Sequence, residues 1–194
     1  MLNIRIARNP TSATHALNLS KYFTYCKSKK ILYATDLSPN SAYVFRYAVN
    51  SAIKHDADIV ILNVFEPMPG GTGMLDFYLD QAQRKKLFEE RVSDTMERIK
   101  KRVKLFCEKE LKDDPGGAGK VKSIEVCEGF APEVILSKAD ELDCDAIVLG
   151  THGKGIIANT FLGSTSKRVL RRTRKPVFII PLPKGESDIT FHDL

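Results

Sequence analysis

The sequence of 194 residues contains no tryptophan and only four cysteines, and no two cysteines form a Cys-x-x-Cys pair. Cys127 and Cys144 lie within apolar stretches, where a thiol packs as a small hydrophobic group. A small domain held together by disulfides is therefore excluded. The cysteine usage favours a reducing compartment, and we expect a cytoplasmic protein.

Long hydrophobic runs are also missing. The longest candidates, Ile59 to Phe65 and Val177 to Leu182, have the length of strands, whereas a membrane-spanning helix needs about 18 apolar residues. Hydrophobic residues make up 43% of the chain and charged residues 28%, which excludes a disordered polyelectrolyte and a collagen-like chain. The composition predicts a globular chain with one domain and short appendages and without a transmembrane helix.

Acidic residues are absent from the first 30 positions, which carry six lysines and arginines. Because the whole chain has 30 basic and 24 acidic residues, positions 31–194 are balanced at 24 of each. The net charge of +6 therefore belongs to the N-terminal segment. We interpret residues 1–28 as a basic extension of a cytoplasmic protein, and a transit peptide is the alternative that its composition leaves open.

Short runs of β-branched and aliphatic residues alternate with amphipathic segments along the remaining chain. A strict alternation of apolar strands and helices is typical of an α/β fold, whose parallel sheet is covered on both faces. Ligands of such sheets bind outside the carboxyl ends of the strands. Strands are predicted over 30–35, 58–65, 121–126, 145–149 and 176–181, and helices over 39–55, 81–111, 132–142 and 164–173.

A glycine-bracketed segment follows the fourth predicted strand, with the pattern Gly150-x2-Gly153-x9-Gly163-Ser164. Glycine lets phosphate oxygens approach backbone N–H groups without a Cβ in the way. Ser164, Thr165 and Ser166 would then lie at the positive end of the helix that follows, which favours an anion. A surface loop whose serine only caps the helix is the alternative reading.

These residues resemble the universal stress protein family, and its ATP-binding members share this glycine pattern. The resemblance covers about Lys29 to Pro181 and includes KILYATDLS at the first strand, ILNV in the second and RKPVFIIP at the end. It implies a Rossmann-like three-layer sandwich of the adenine nucleotide alpha hydrolase type, with a five-stranded parallel sheet in the order 3-2-1-4-5. The implied domain spans 29–183, and 184–194 form a C-terminal tail.

The resemblance also implies an ATP site, with Mg²⁺ held through the phosphates, and usually a homodimer. Thr35, Asp36 and the backbone of Val64 would face the adenine and ribose. The phosphates would be held by Gly150, Thr151, His152, Gly153, Gly163, Ser164, Thr165 and Ser166. Ala34 and Asn63 depart from the family pattern, in which proline and histidine are common at these positions.

Two of these residues have a second interpretation. Asp36 could cap the following helix instead of binding the nucleotide, although Ser38 is suited to that role. His152 could contact phosphate or project into water, and no nearby histidine or cysteine suggests a metal site.

No residue stands out as a general base, and the P-loop lysine is missing. We therefore expect a nucleotide-dependent stress-response sensor or regulator with at most slow ATP hydrolysis. An ATP-consuming hydrolase or transferase and a nucleotide-free dimeric interaction module are the alternatives.

Two further segments are candidates for binding a macromolecular partner. Six cations between Lys167 and Lys175 resemble a nucleic-acid-binding patch. However, cations are favoured at the C-terminal end of a helix, and no aromatic residue lies among them to stack on bases. Nucleic-acid binding is therefore not expected. Val177 to Ile180 carry no charge and would form an open edge strand. We expect this strand to pair with a second copy in a homodimer, unless residues 1–28 or 184–194 cover it.

Overall fold

The computed structural model describes residues 29–38, 41–67, 80–151 and 162–181. Five strands and five helices follow one another along this part of the chain. Their bounds are β1 Lys30–Thr35, α1 Ser41–His55, β2 Asp58–Phe65, α2 Gln81–Glu110, α3 Pro115–Ala118, β3 Val121–Glu128, α4 Ala131–Glu141, β4 Ala146–Gly150, α5 Ser164–Arg172 and β5 Val177–Ile180.

The strands form one parallel sheet in the order β3-β2-β1-β4-β5, which confirms the predicted fold class and strand order. β1 lies at the centre and is buried from Ile31 to Thr35. Its first pairing partner is β2, with Lys30 opposite Asp58, and its second is β4, with Tyr33 opposite Val148. The chain therefore reverses its direction of travel between β1 and β4, which is where such sheets bind ligands.

Each face of the sheet has its own hydrophobic core. α1 and the end of α2 pack on one face, where Phe45 and Phe106 meet with ring centroids 5.1 Å apart. α4 and α5 cover the other face through residues such as Ile135 and Val169. The result is the predicted sandwich of three layers.

Most observed boundaries lie within one residue of the prediction, and larger differences occur at the end of β3 and in the loop before it. α1 is described from Ser41 onward, and the first two residues of the predicted helix, Pro39 and Asn40, lie outside the described residues. β3 continues to Glu128 instead of ending at Val126, because β2 runs on to Phe65 and offers a partner there. α3 replaces part of a predicted loop, since Pro115 opens it and the carboxylate of Asp114 accepts from the N–H of Gly117.

The predicted extensions, residues 1–28 and 184–194, lie outside the described residues. Among the helices that are described, none has the length and apolar character needed to cross a bilayer.

Candidate functional site

The carboxyl ends of β1, β2 and β4 bring the predicted site residues to one edge of the sheet. Thr35 ends β1 opposite Asn63 of β2, and Val64 follows Asn63. On the other side of β1, the pairing of Tyr33 with Val148 places Gly150 beside Thr35 in the same register. Because parallel strands share their carboxyl edge, these residues and the start of α5 lie along one edge of the sheet, and we call the space above it the candidate cleft.

The turn from β1 into α1 is held by hydrogen bonds around Ser41. The hydroxyl of Thr35 donates to Ser41 Oγ at 2.9 Å, and it accepts from the N–H of Leu37 at 3.1 Å. The side-chain amide of Asn63 donates to the carbonyl of Thr35 at 2.8 Å. Both polar groups of Thr35 therefore have partners within the protein, and this residue shapes the cleft from behind.

Asp36 extends beyond the end of β1 and is half-buried. Its Oδ1 accepts from the N–H of Ser38 at 3.1 Å and from the hydroxyl of Ser41 at 3.5 Å. Leu37, between them, adopts a φ of 56°, a left-handed conformation that is uncommon for leucine. One carboxylate oxygen thus braces the turn, and the other accepts no hydrogen bond from the part of the chain that the structure describes.

Three hydrogen bonds join β4, β5 and the start of α5. The N–H of Thr151 donates to the carbonyl of Ile180 at 3.1 Å, and the N–H of Gly163 donates to the carbonyl of Thr151 at 2.6 Å. The hydroxyl of Ser166, which is buried, donates to the carbonyl of Gly150 at 2.7 Å. The chain therefore leaves the sheet at Thr151 and returns beside it at Gly163.

The N-terminus of α5 has the properties of an anion site. Gly163 is its N-cap and supplies no side-chain hydrogen bond, and the first turn contains no acidic residue. The amides of Ser164, Thr165 and Ser166 have no acceptor within the helix, as in the first turn of any α-helix. Ser164 is exposed and Thr165 half-buried, so hydroxyls and amides lie together at the positive end of the helix dipole.

Two titratable side chains beneath this edge have raised pKa values. Tyr33 is fully buried and donates to the carbonyl of Ser41 at 2.7 Å, and burial raises the pKa of its phenol well above the ordinary value. Burial also raises the pKa of the Cys127 thiol, which lies opposite Val64 in the sheet. Within the described residues, no group of three or more histidine, cysteine or acidic side chains is placed to hold a metal ion.

The structure brings most of the predicted residues to the cleft but divides their roles. Asp36, Val64, Ser164 and Thr165 remain able to meet a ligand, while Thr35, Gly150, Thr151, Gly163 and Ser166 use at least one polar group to join the ends of the strands and α5. His152 and Gly153 lie outside the described residues. Sequence reasoning missed Ser41, whose role depends on how α1 folds back over β1.

The pattern and the geometry agree with a comparison against known protein families. A model described as the universal stress protein family matches residues 27–181. The chain belongs to this family. The predicted family is thereby confirmed, and the match covers all five strands of the sheet.

Relatives within the universal stress protein family show how widely the similarity extends. Universal stress protein MJ0577 of Methanocaldococcus jannaschii is 26% identical over 153 residues, which are 78% of this chain and 94% of the relative. Its solved structure covers 82% of this chain and 99% of its own, with a TM-score of 0.63 and 24% identity. A universal stress protein from Archaeoglobus fulgidus, solved in complex with dAMP, has a TM-score of 0.46 and 21% identity, covering 77% of this chain and 95% of its own. The first of these structures supports the fold.

Proposed function

We propose that this universal stress protein binds an adenine nucleotide, ATP, at the carboxyl edge of the sheet and acts as a nucleotide-dependent stress-response regulator in the cytoplasm. The observation that carries the proposal is the acid-free N-terminus of α5, which follows the segment between Gly150 and Gly163 and is tied to Gly150 by the hydroxyl of Ser166. Such an arrangement offers backbone amides to a phosphate, and Asp36 offers a carboxylate to the polar groups of a nucleoside.

Different residues around the cleft would contact the base, the ribose and the phosphates of the nucleotide. Asp36 would accept a hydrogen bond from a ribose hydroxyl or the adenine amine through the oxygen that is not bonded to Ser38 and Ser41. The backbone of Val64 would lie beside the base. The amides of Ser164, Thr165 and Ser166 would hold the phosphates, with His152 and Gly153 expected to complete that part of the site. Mg²⁺ would bind through phosphate oxygens.

The hydroxyl of Ser166 already donates to the carbonyl of Gly150. A hydroxyl carries only one proton, so Ser166 cannot donate to phosphate and to Gly150 at the same time. Its backbone amide is therefore the group that we assign to phosphate. The hydroxyl keeps the end of β4 and the first turn of α5 together.

Turnover should be slow. Hydrolysis of ATP needs a positioned water and a group that takes its proton, and no residue described at the cleft is arranged for that task. We expect a steady-state rate far below the roughly 1 to 100 per second of ordinary kinases. Phosphate release measured with saturating ATP and Mg²⁺ tests this, and a rate within that range that disappears in Ser164→Ala would contradict it.

The glycine at the N-cap of α5 allows a direct test of the site. Gly163 has φ −61° and ψ 156°, which valine adopts readily, so Gly163→Val should fold while placing a branched side chain where phosphate approaches. Mass spectrometry of small molecules released from denatured, freshly purified protein should find an adenine nucleotide with the wild type and little with the variant. Equal amounts in both would overturn the assigned phosphate position.

We also propose a homodimer formed through β5. In the part of the chain that the structure describes, β5 is an edge strand without charge, and Phe178 on it is 44% exposed. An open apolar edge leaves unpaired N–H and C=O groups. Pairing with the same strand of a second copy around a two-fold axis would satisfy these groups and cover Phe178.

A further inference from the structure

Arg168 has an unusual environment for a surface arginine. It belongs to the second turn of α5, and its guanidinium lies over the ring of Phe130, 5.1 Å from the centroid. Phe130 is 41% exposed, so one face of its ring serves as a platform for the cation. A guanidinium stacked on an aromatic ring is held by a cation–π interaction and loses little further freedom when it binds an anion.

The platform itself is fixed at the carboxyl edge of the sheet. Phe130 is the N-cap of α4 and follows Gly129, which adopts a φ of 127°. The N–H of Gly129 donates to the carbonyl of Phe65 at 2.9 Å, which ties the start of α4 to the end of β2. The guanidinium of Arg168 therefore packs on a ring that is tied, through Gly129, to the end of β2, where Val64 lies.

Arg168 is held in place by Phe130 without a counter-ion, unlike two cations further along the chain. Arg172, one turn further on, forms an ion pair with Glu133 at 3.3 Å, and Lys175 forms one with Asp140 at 3.3 Å. Among the described residues, no carboxylate lies within ion-pair distance of Arg168. A positioned cation without a counter-ion next to the positive end of a helix favours a multiply charged anion.

The expected direction of the Arg168 side chain also favours binding of an anion near the first turn of α5. Side chains on an α-helix lean toward its N-terminus, so a residue in the second turn covers the first turn. Ser164 and Arg168 are separated by about 6 Å along the helix axis. The guanidinium can therefore meet an anion that extends beyond the first-turn amides.

We propose that Arg168, stacked on Phe130, selects nucleotides that carry two or more phosphates over nucleoside monophosphates. This inference rests on the proposed nucleotide site and assigns its specificity. One phosphate is held by the first-turn amides of α5, and a further phosphate binds the guanidinium. A monophosphate has no group that reaches Arg168, so its affinity is independent of this residue.

Calorimetric titrations with ATP and AMP test the proposal on the full-length protein. Arg168→Ala should weaken ATP binding about tenfold and change AMP binding less than twofold. Phe130→Leu, which removes the ring but keeps an apolar side chain, should weaken ATP binding in the same selective way. Arg171→Ala is the matched control, since it removes an exposed cation one turn further from the N-terminus.

Each remaining outcome counts against the inference. Equal weakening of ATP and AMP by Arg168→Ala would show that the arginine only supports the packing of α4 against α5. An equal loss of ATP affinity in Arg168→Ala and Arg171→Ala would show that only the overall charge of the helix matters. If the folded wild type binds neither ATP nor AMP, the proposed function fails and this inference falls with it, whereas binding of both without selectivity overturns the inference alone.

Discussion

Single polar residues at the carboxyl edge hold the cleft together as well as lining it. Ser41 accepts from both Tyr33 and Thr35, which joins α1 to β1, and the hydroxyl of Ser166 donates to the carbonyl of Gly150, which joins α5 to β4. The pattern of glycines and serines predicts which residues reach this edge. It cannot predict which hydroxyl bonds a carbonyl, because that depends on the return of the chain from Thr151 to Gly163.

Gly129 is a position where the backbone requires glycine. Its φ of 127° is rarely adopted by other residues, and a Cβ there would lie 3.1 Å from Val134 Cγ2. Gly129→Ala should therefore lower the free energy of unfolding by about 1–3 kcal/mol. Urea denaturation measures this change.

Gly119→Ala is the control for that substitution. Gly119 has a right-handed helical φ of −65°, and a Cβ would meet nothing closer than 3.6 Å. Alanine at this position should leave stability unchanged or raise it by up to about 1 kcal/mol. Equal losses in the two variants would show that backbone conformation at Gly129 is unimportant.

At the scale of the element, β1 is anchored at both ends by side chains from its two neighbouring strand segments. Asp145, just before β4, accepts from the N–H groups of Lys29 at 2.6 Å and Lys30 at 2.9 Å. At the other end, Asn63 of β2 donates to the carbonyl of Thr35. Since β1 is the central strand and leads into Asp36, these contacts fix the position of the cleft.

Removing the first of these anchors should weaken the whole sheet. Asp145→Ala leaves two N–H groups without their charged acceptor, and hydrogen bonds to charged groups contribute about 1.5–3 kcal/mol in general. Because Asp145 is exposed and water can replace it, we expect a loss of about 1–2 kcal/mol in urea denaturation. Asp145→Asn, which keeps a carbonyl acceptor, should lose less, and an equal loss in both variants would contradict the role of the acceptor.

The helices show where sequence periodicity stops being informative. The apolar repeat from Phe88 to Phe106 correctly predicts one long helix, but only Val103, Phe106 and Cys107 of α2 are buried. A helix of 30 residues is about 45 Å long, whereas an eight-residue strand such as β3 spans about 26 Å. The first half of α2 therefore extends past the sheet, which periodicity alone does not predict.

The buried end of α2 makes stability depend on alkaline pH. Burial raises the pKa of the Cys107 thiol from 9.0 to about 12, so the folded protein keeps a proton that the unfolded chain releases. The stability from this group is fully present below pH 9 and is lost as the pH rises toward 12. Each such group lowers stability by up to about 1.4 kcal/mol per pH unit within that window.

Urea denaturation at pH 7.5, 9 and 10.5 checks this dependence. Between pH 9 and 10.5 the wild type should lose about 2 kcal/mol more than Cys107→Ala, since the variant lacks the titrating thiol. Tyr33 contributes to both proteins, because its raised pKa acts in the same direction. Identical losses in the two proteins would contradict a titrating role for Cys107.

At the scale of the whole molecule, assembly through β5 can be tested by light scattering. Wild-type protein should have a mass near twice 21.7 kDa, and Ile179→Lys should be monomeric, because a lysine on the edge strand opposes pairing with a second strand. Leu170→Lys is the control, since Leu170 is exposed on α5 and should leave the dimer intact. A monomeric wild type refutes the dimer and favours an edge covered by the chain's own termini.

The architecture followed from the sequence more completely than the site did. Alternating apolar strands and helices specified the parallel sheet, and the family resemblance supplied its strand order, which the structure confirms. The cleft was predicted as a set of residues at strand ends. The stacking of Arg168 on Phe130 could not be predicted, because the two residues are 38 positions apart and meet only when α4 and α5 pack side by side.

Calorimetric titration of nucleotide-free wild-type protein with ATP is the most direct test of the proposed site. We expect saturable binding of one ATP per chain. Gly163→Val should weaken this binding at least tenfold, while its thermal unfolding stays close to that of the wild type. Correctly folded wild-type protein that shows no heat of binding with ATP, ADP or AMP would contradict the assignment of the carboxyl edge as a nucleotide site.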